Sequence, residues 1–425
     1  MRLPLSWLNE FVKVDDIEPK ELAEKLTRAG LQVEGIETVG GEGLSDLIVV
    51  AEVLECEAHP NSDHLHVCKV TDGKETFQVV CGAPNMRQGI KTAFAKIGAP
   101  IPGFLDKSGK PEKIKKGSPS PDDFDVFWAN AREKLAREVP LDAQMELVPE
   151  RSTKDFDFFR ISFATFGRRV YGYMSVPTDK SKAPYPVDVG VAAAGFGNWS
   201  NDMSGSRDSI SAYFSVYPFA PHWKWQEQGL KREYDGMASR LREKYGIDSY
   251  RVAGLTVSRE DYFFYPVILG LDRAVDWIAA RPDVDAKRIR YQGTSQGGGF
   301  GLYLAGLNRH FTKVGLYVPA LTDTMGYRKG RQSGWPQPVE SFGDPVAKAA
   351  AEANAPYFDG ANFAARIRCP VRVAVGFADV TCPPCAVYSA FNAIPVKDKA
   401  IYNGIGMSHS CRQDYYGLIG KWIRE

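Results

Sequence analysis

The sequence predicts an α/β protein. Its larger part reads as a doubly wound parallel sheet, preceded by a small β-rich module with two short helices at its start. Three observations carry this. From residue 156 onward, strand-like and helical runs alternate across tight turns: RIRYQG is followed by SQGGGFGLYLAGLN, and VRVAVGFA by CPPCAVYSAFNAI. Between residues 47 and 98, short β-rich runs are broken by HPNSD, DGKE and PNMRQG, the pattern of a small antiparallel barrel or sheet. Between the two parts, residues 103–121 (GFLDKSGKPEKIKKGSPSP) hold few apolar anchors and read as a linker.

Along the chain, Leu5, Leu8, Phe11 and Val12 recur at helical spacing, as do Leu22, Leu26 and Ala29. Pro19 stands near the first turn of the second helix and Gly30 at its stop. LIVVAEVLECEAH, HLHVCKVTD, TFQVVCGAP and KTAFAKIG are the β-rich runs. Residues 122–139 form a helix with Phe124, Phe127, Trp128, Ala131 and Leu135 on one face. FRISFATF, RRVYGYMSV and VDVGVAAA are strands leading into a glycine turn, and LDRAVDWIAARP is a helix. The stretch 198–250, rich in Tyr, Trp and Pro, gives no clear element. The domains expected are 1–40 (helical), 41–117 (β module) and 118–425 (α/β).

Composition narrows the classes. With 44% hydrophobic and 25% charged residues in 425, the chain is neither disordered, nor a coiled coil, nor collagen-like. The net charge of +1 divides into −3 for residues 1–117 (15 basic, 18 acidic) and +4 for the rest (38 basic, 34 acidic). Neither value marks a strong nucleic-acid binder. Seven cysteines are an odd number and too few for a disulfide scaffold. The N-terminus lacks the apolar core of a signal peptide, and no run approaches 18 apolar residues. A cytoplasmic location and no membrane partner are expected.

Gly293-Thr294-Ser295-Gln296-Gly297 matches G-x-S-x-G between a strand and a small-residue helix. A serine on such a turn sits in strained backbone, and its neighbours must lack bulk for the turn to close. It needs a base and a group to orient that base. In α/β-hydrolases these follow in the order serine, acid, histidine. Beyond Ser295 the histidines are His310 and His409. His310 lies near the end of the helix after the serine, whereas His409 lies in a Gly-rich loop before the last helix. Asp379 directly follows the strand VRVAVGFA; Asp323 and Asp359 compete, but neither follows a strand so closely. Two backbone N–H groups must hold the oxyanion: that of Gln296 and, in the AGFG turn, that of Phe196.

DDFDVFWANAREKLAREVPLD, RRVYGYMSVP, AGFGNWS, EDYFFYPVILGLDRAVDWIAARPDVDAKRI, GTSQGGG and GFADVTCPP together resemble the acetyl xylan esterase and cephalosporin-C deacetylase family. The resemblance covers roughly residues 118–425. It implies an α/β-hydrolase that removes acetyl groups from sugars or similar small alcohols, with Ser295, Asp379 and His409 as its triad. Phe196 stands where that family usually has tyrosine, and its His-Glu pair is His409-Ser410 here.

Residues 1–117 resemble the start of the bacterial phenylalanyl-tRNA synthetase β subunit, through HPNSD, VCKV and VCGAPNMRQG. That resemblance implies an OB-type tRNA-binding module, here truncated where the esterase-like sequence begins. On its own the piece reads either as a weak tRNA binder, for which Lys107, Lys110, Lys113, Lys115 and Lys116 form the one basic run, or as a passive or incompletely folded head. The later domains needed for aminoacylation are missing from the sequence. The join near Gly117 reads either as a recent fusion or as an error of genome assembly or gene prediction.

Cys56, His59, His64, His66 and Cys68 have the residue types of a metal cluster but not regular ligand pairs. Cys382-Pro383-Pro384-Cys385 has redox-motif spacing beside the proposed acid. Neither a metal centre nor redox chemistry is expected, and no cofactor. The expected partners are a small acetylated substrate, tRNA through residues 41–117, and a second copy of the chain through the esterase domain.

Overall fold

Period-two burial in the first β-rich runs builds a small antiparallel sheet. The computed structural model describes residues 5–9, 11–14, 16–29, 31, 33, 36, 48–58, 66–81, 86–96, 114–117, 119–195, 205–220, 228–404 and 407–425. The chain divides into two units, Met1–Glu112 and Lys113–Glu425.

In the first unit, α1 (Leu5–Leu8) and α2 (Pro19–Arg28) precede four strands: β1 (Ile48–Ala58), β2 (His66–Thr71), β3 (Thr76–Cys81) and β4 (Lys91–Ala95). Pro19 opens α2, where its missing N–H costs nothing. The strand order is β3-β2-β1-β4, every neighbour antiparallel. Ala51, Val53, Cys68 and Val70 alternate with more exposed residues and form the core. The described strands make an open sheet, with β3 and β4 at its edges.

The second unit begins with α3 (Phe124–Glu138) and continues β5 (Gln144–Leu147), β6 (Phe156–Thr165), β7 (Arg168–Pro177), β8 (Tyr185–Val191) and β9 (Ile210–Phe214). Then come α4 (Gln228–Tyr245), α5 (Phe264–Ala279), β10 (Val284–Thr294), α6 (Gln296–Leu307), β11 (Phe311–Tyr317), α7 (Pro345–Asn354) and α8 (Gly360–Ala364). The chain ends with β12 (Val371–Gly376), α9 (Pro384–Ala393), β13 (Lys399–Gly404) and α10 (Gln413–Arg424). Nine strands form one sheet in the order β13-β12-β11-β10-β8-β9-β7-β6-β5. From β13 through β9 the neighbours are parallel, and β7, β6 and β5 extend the sheet antiparallel. The inner strands are buried on both faces, which is why β11 and β12 read as near-continuous apolar runs. From β8 the chain first goes to β9 on one side and then crosses to β10 on the other. That reversal opens a crevice at the carboxyl ends of β8 and β10.

On α3, Phe124, Trp128, Ala131 and Leu135 are buried at helical spacing. Phe127 packs partly buried beside them. The Trp128 ring meets Phe358 and Phe363 at 5.6 and 5.3 Å, and its indole N–H donates to the Tyr357 carbonyl at 3.2 Å. Trp128→Ala should therefore cost the second unit ~3–5 kcal/mol. A thermal-denaturation comparison with the wild type should show a clearly lowered midpoint. Among the described residues no helix is long and apolar enough to cross a membrane.

Candidate active site

Ser295 stands between β10 and α6 with φ of 55° and ψ of −119°, a conformation a non-glycine residue rarely adopts. Holding it costs about 1–3 kcal/mol. Three backbone bonds fix the turn. The Ser295 N–H donates to the Tyr317 carbonyl at 2.9 Å, and the Ser295 carbonyl accepts from Gly299 at 3.0 Å and Ala320 at 2.9 Å. The glycine at 297 is a steric requirement, because a Cβ there would lie 2.1 Å from the Val191 carbonyl oxygen. The elbow thus presses against the end of β8, and only a residue without a side chain closes that contact.

Asp379 follows β12 and His409 follows β13, adjacent parallel strands that end on the same edge. Their loops are stitched together: Phe377 N–H donates to the Gly404 carbonyl at 3.0 Å, and Ala378 N–H to the Met407 carbonyl at 3.0 Å. A Cβ on Gly376 would lie 2.3 Å from the Met407 oxygen, so this approach also needs glycine. The stitching brings the two side chains together. His409 Nδ1 lies 2.9 Å from Asp379 Oδ2, and His409 Nε2 lies 2.9 Å from Ser295 Oγ. Asp379 is buried, and its other oxygen, Oδ1, accepts the N–H groups of Thr381 and Cys382, both at 2.9 Å. Both oxygens of the carboxylate are therefore occupied, one as a local loop cap and one on the imidazole.

Gln296 is fully buried, and its side chain is anchored at both ends. Tyr250 Oη donates to Oε1 at 2.9 Å, and Nε2 donates to the Ala192 carbonyl at 3.3 Å. The amide thereby ties the elbow to the turn after β8, the two places from which oxyanion donors are expected. Phe196 itself lies outside the described residues. Tyr250 gave no signal in the sequence; it belongs to the stretch from which no element could be read.

The competing acids have other work. Asp359 accepts from Asp323 N–H at 3.0 Å and from Thr324 N–H at 2.9 Å, and burial beside Asp323 pushes its carboxyl above the usual range. Asp323 pairs with Arg331 at 2.8 Å and accepts from the Gly117 N–H. His310 Nε2 faces Asp276 at 3.4 Å.

The basic run divides. Lys107, Lys110 and Lys113 lie outside the described residues. Lys115 and Lys116 belong to the second unit. The Lys116 ammonium is partly buried and donates to Asn362, and the Lys115 carbonyl accepts from Arg331 at 2.6 Å. Through Asn362 the Lys116 side chain is tied to the α/β unit.

Of the cysteine–histidine group, His59 and His64 lie outside the described residues. Cys56 and Cys68 face each other across β1 and β2 with sulfurs 3.6 Å apart, and burial and the neighbouring Cys56 push the Cys68 thiol up to about 11. In the CPPC segment, Cys382 and Cys385 are free thiols; Cys385 faces the Gln332 carbonyl at 3.6 Å. Burial, reinforced by the Asp379 charge, pushes the Cys382 thiol well above its usual range.

A nine-stranded sheet with its serine elbow at the switch point, and a histidine bridging that serine to a carboxylate, defines an α/β-hydrolase. The acetyl xylan esterase (AXE1) family model matches residues 110–415, and the chain belongs to that family, a family of carboxylic ester hydrolases. Acetyl esterase Axe7A of Xylanibacter ruminicola is 30% identical over 342 residues, 76% of this chain and 74% of that protein. The solved acetyl xylan esterase from Paenibacillus sp. R4 superposes with a TM-score of 0.60 at 24% identity, over 73% of this chain and 96% of that one. That likeness speaks for the fold. The tRNA_bind family model matches residues 48–115. The phenylalanine–tRNA ligase β subunit of Protochlamydia amoebophila is 53% identical over 117 residues, 28% of this chain. The chain spans 14% of that ligase subunit's length.

Proposed function

We propose that the chain is a serine esterase that removes acetyl groups from sugars or similar small alcohols, with Ser295 as nucleophile, His409 as base and Asp379 as orienting acid. The observation that carries this is the His409 ring, bonded at 2.9 Å on one nitrogen to Ser295 and on the other to Asp379. Ser295 Oγ attacks the acetyl carbonyl while His409 Nε2 takes its proton. The tetrahedral oxyanion is received by the N–H of Gln296 and, in this reading, that of Phe196. His409 then gives the proton to the leaving alcohol, and the acetyl group stays on Ser295. Water attacks that acetyl-serine while His409 takes its proton; the bond from the acetyl carbon to Oγ then breaks, His409 returns the proton to Ser295 Oγ, and acetate leaves. Asp379 keeps Nδ1 protonated, so that Nε2 presents its lone pair to the serine. Release of acetate from acetylated xylo-oligosaccharides, compared between wild type and Ser295→Ala, tests the reading. Equal release by the two proteins removes it.

A second reading concerns the first unit. The tRNA_bind match and the 53% identity to a ligase β subunit favour an RNA-binding surface there. The net charge of −3 on residues 1–117 limits its strength, because phosphate contacts supply most of such affinity. The full chain is expected to bind tRNA weakly at low salt and to release it as salt rises. A filter-binding titration that finds no complex at the lowest salt removes this reading.

A further inference from the structure

We propose that Asp379, Cys382 and His409 form an inhibitory zinc site, in which one Zn²⁺ ion takes the proposed base and acid out of action. The inference rests on the triad reading only for the word inhibitory; the ligand set stands on geometry. A carboxylate oxygen of Asp379, the sulfur of Cys382 and a ring nitrogen of His409 lie within 4.8 Å of one another, the one such group among the described residues. Oxygen, thiolate and imidazole are the donors zinc takes. Around a tetrahedral Zn²⁺ with bonds of about 2.0–2.3 Å, donors stand roughly 3–4 Å apart. No pair of donors therefore needs to change its separation by more than about 1–2 Å.

The local chain explains why the thiol is there. Cys382 follows the acid by three residues, and its own N–H donates to Asp379 Oδ1. Acid and thiol thus share one turn, and that N–H, with the Thr381 N–H, would hold the ligating carboxylate from behind. Asp379 and Cys382 are buried, while the His409 side chain is 34% exposed and leaves a way in from solvent. The Ser295 hydroxyl lies beside the Cys382 thiol, so Ser295 Oγ or a water can fill the fourth position.

Binding forms Zn–S, Zn–N and Zn–O bonds and releases the Cys382 thiol proton to solvent. Each ring nitrogen of His409 is already engaged, Nδ1 with Asp379 and Nε2 with Ser295. A metal on either nitrogen breaks one link of the Ser–His–Asp chain. Inhibition follows whichever nitrogen is taken.

The test uses the full chain, stripped of metal. Zn²⁺ should lower 4-nitrophenyl acetate hydrolysis to below a tenth, with one ion per chain, and EDTA should restore it. Co²⁺ should give a thiolate-to-cobalt charge-transfer band. In Cys382→Ala the band should vanish, and the Zn²⁺ concentration for half-inhibition of the remaining activity should rise at least tenfold. Cys56→Ser, which alters the competing thiol pair, should keep both. Should Cys382→Ala fail to fold, His409→Gln should weaken Co²⁺ binding at least tenfold. The proposal is overturned if Zn²⁺ does not inhibit, if Cys382→Ala is inhibited at the wild-type concentration, if the band follows Cys56, or if His409→Gln binds Co²⁺ unchanged. The cobalt readout needs no turnover. Failure of the esterase reading, seen as equal rates in wild type and Ser295→Ala, is therefore distinguishable from failure of the zinc site.

Discussion

Ser295→Ala is expected to lower kcat for 4-nitrophenyl acetate by about four to six orders of magnitude, with the fold intact. Alanine keeps the Cβ, so the turn at φ 55° and the bonds to Tyr317, Gly299 and Ala320 are unaffected. Only the hydroxyl facing His409 Nε2 is lost. The proposed oxyanion donors would remain and leave residual catalysis of about 10³–10⁴ over water. Rates corrected for buffer hydrolysis, together with matching circular dichroism spectra, give the comparison. A variant within tenfold of wild type would exclude Ser295 as nucleophile.

Asp379→Asn is expected to cost about 10⁴ in kcat through the imidazole tautomer. The local geometry dictates how. Oδ1 accepts two backbone N–H groups, from Thr381 and Cys382, so an amide placed here must keep its oxygen on that side. Its NH₂ then faces His409 Nδ1 at the position Oδ2 holds. Nδ1 becomes the acceptor, Nε2 carries the proton, and Nε2 can no longer take one from Ser295. The loop cap survives, so stability should change far less than activity. Kinetics and thermal denaturation on one preparation check both halves. A fall under tenfold would show that the acid does not set the tautomer.

How much of this was legible follows from where each signal lies. The serine turn is local: five consecutive residues encode a strained turn and the glycine that admits it, and the Val191 carbonyl at 2.1 Å from a Cβ on Gly297 is the contact that demands it. The preference for Asp379 came from its place at a strand's end, and the structure has its carboxylate at His409 while Asp323 and Asp359 serve a buried network. Strand β9 and helix α4 escaped the reading of 198–250. Leu230, Tyr234, Met237 and Leu241 do carry a helical period there, and they pack into the core. The charged residues between them and the Tyr- and Pro-rich surroundings hid it. A run of lysines looks alike in sequence whether solvated or not, so the bond of Lys116 to Asn362, which joins residues far apart in the chain, was not legible there.

By itself the sequence determined which chemistry-bearing residues exist, their order, and the local elements that carry them. Apolar periodicity and glycine placement act over a few residues and are visible there. Only the tertiary structure decided which of those residues meet. Ser295 and His409 are 114 positions apart, and Asp379 and His409 are 30. They converge because parallel crossovers end β10, β12 and β13 on one edge and because Ala378 bonds to Met407 across two loops. The placing of the Cys382 thiol beside that histidine, and of Tyr250 on the Gln296 amide, has the same origin. Each depends on strand order and packing, for which no short stretch of sequence holds a pattern.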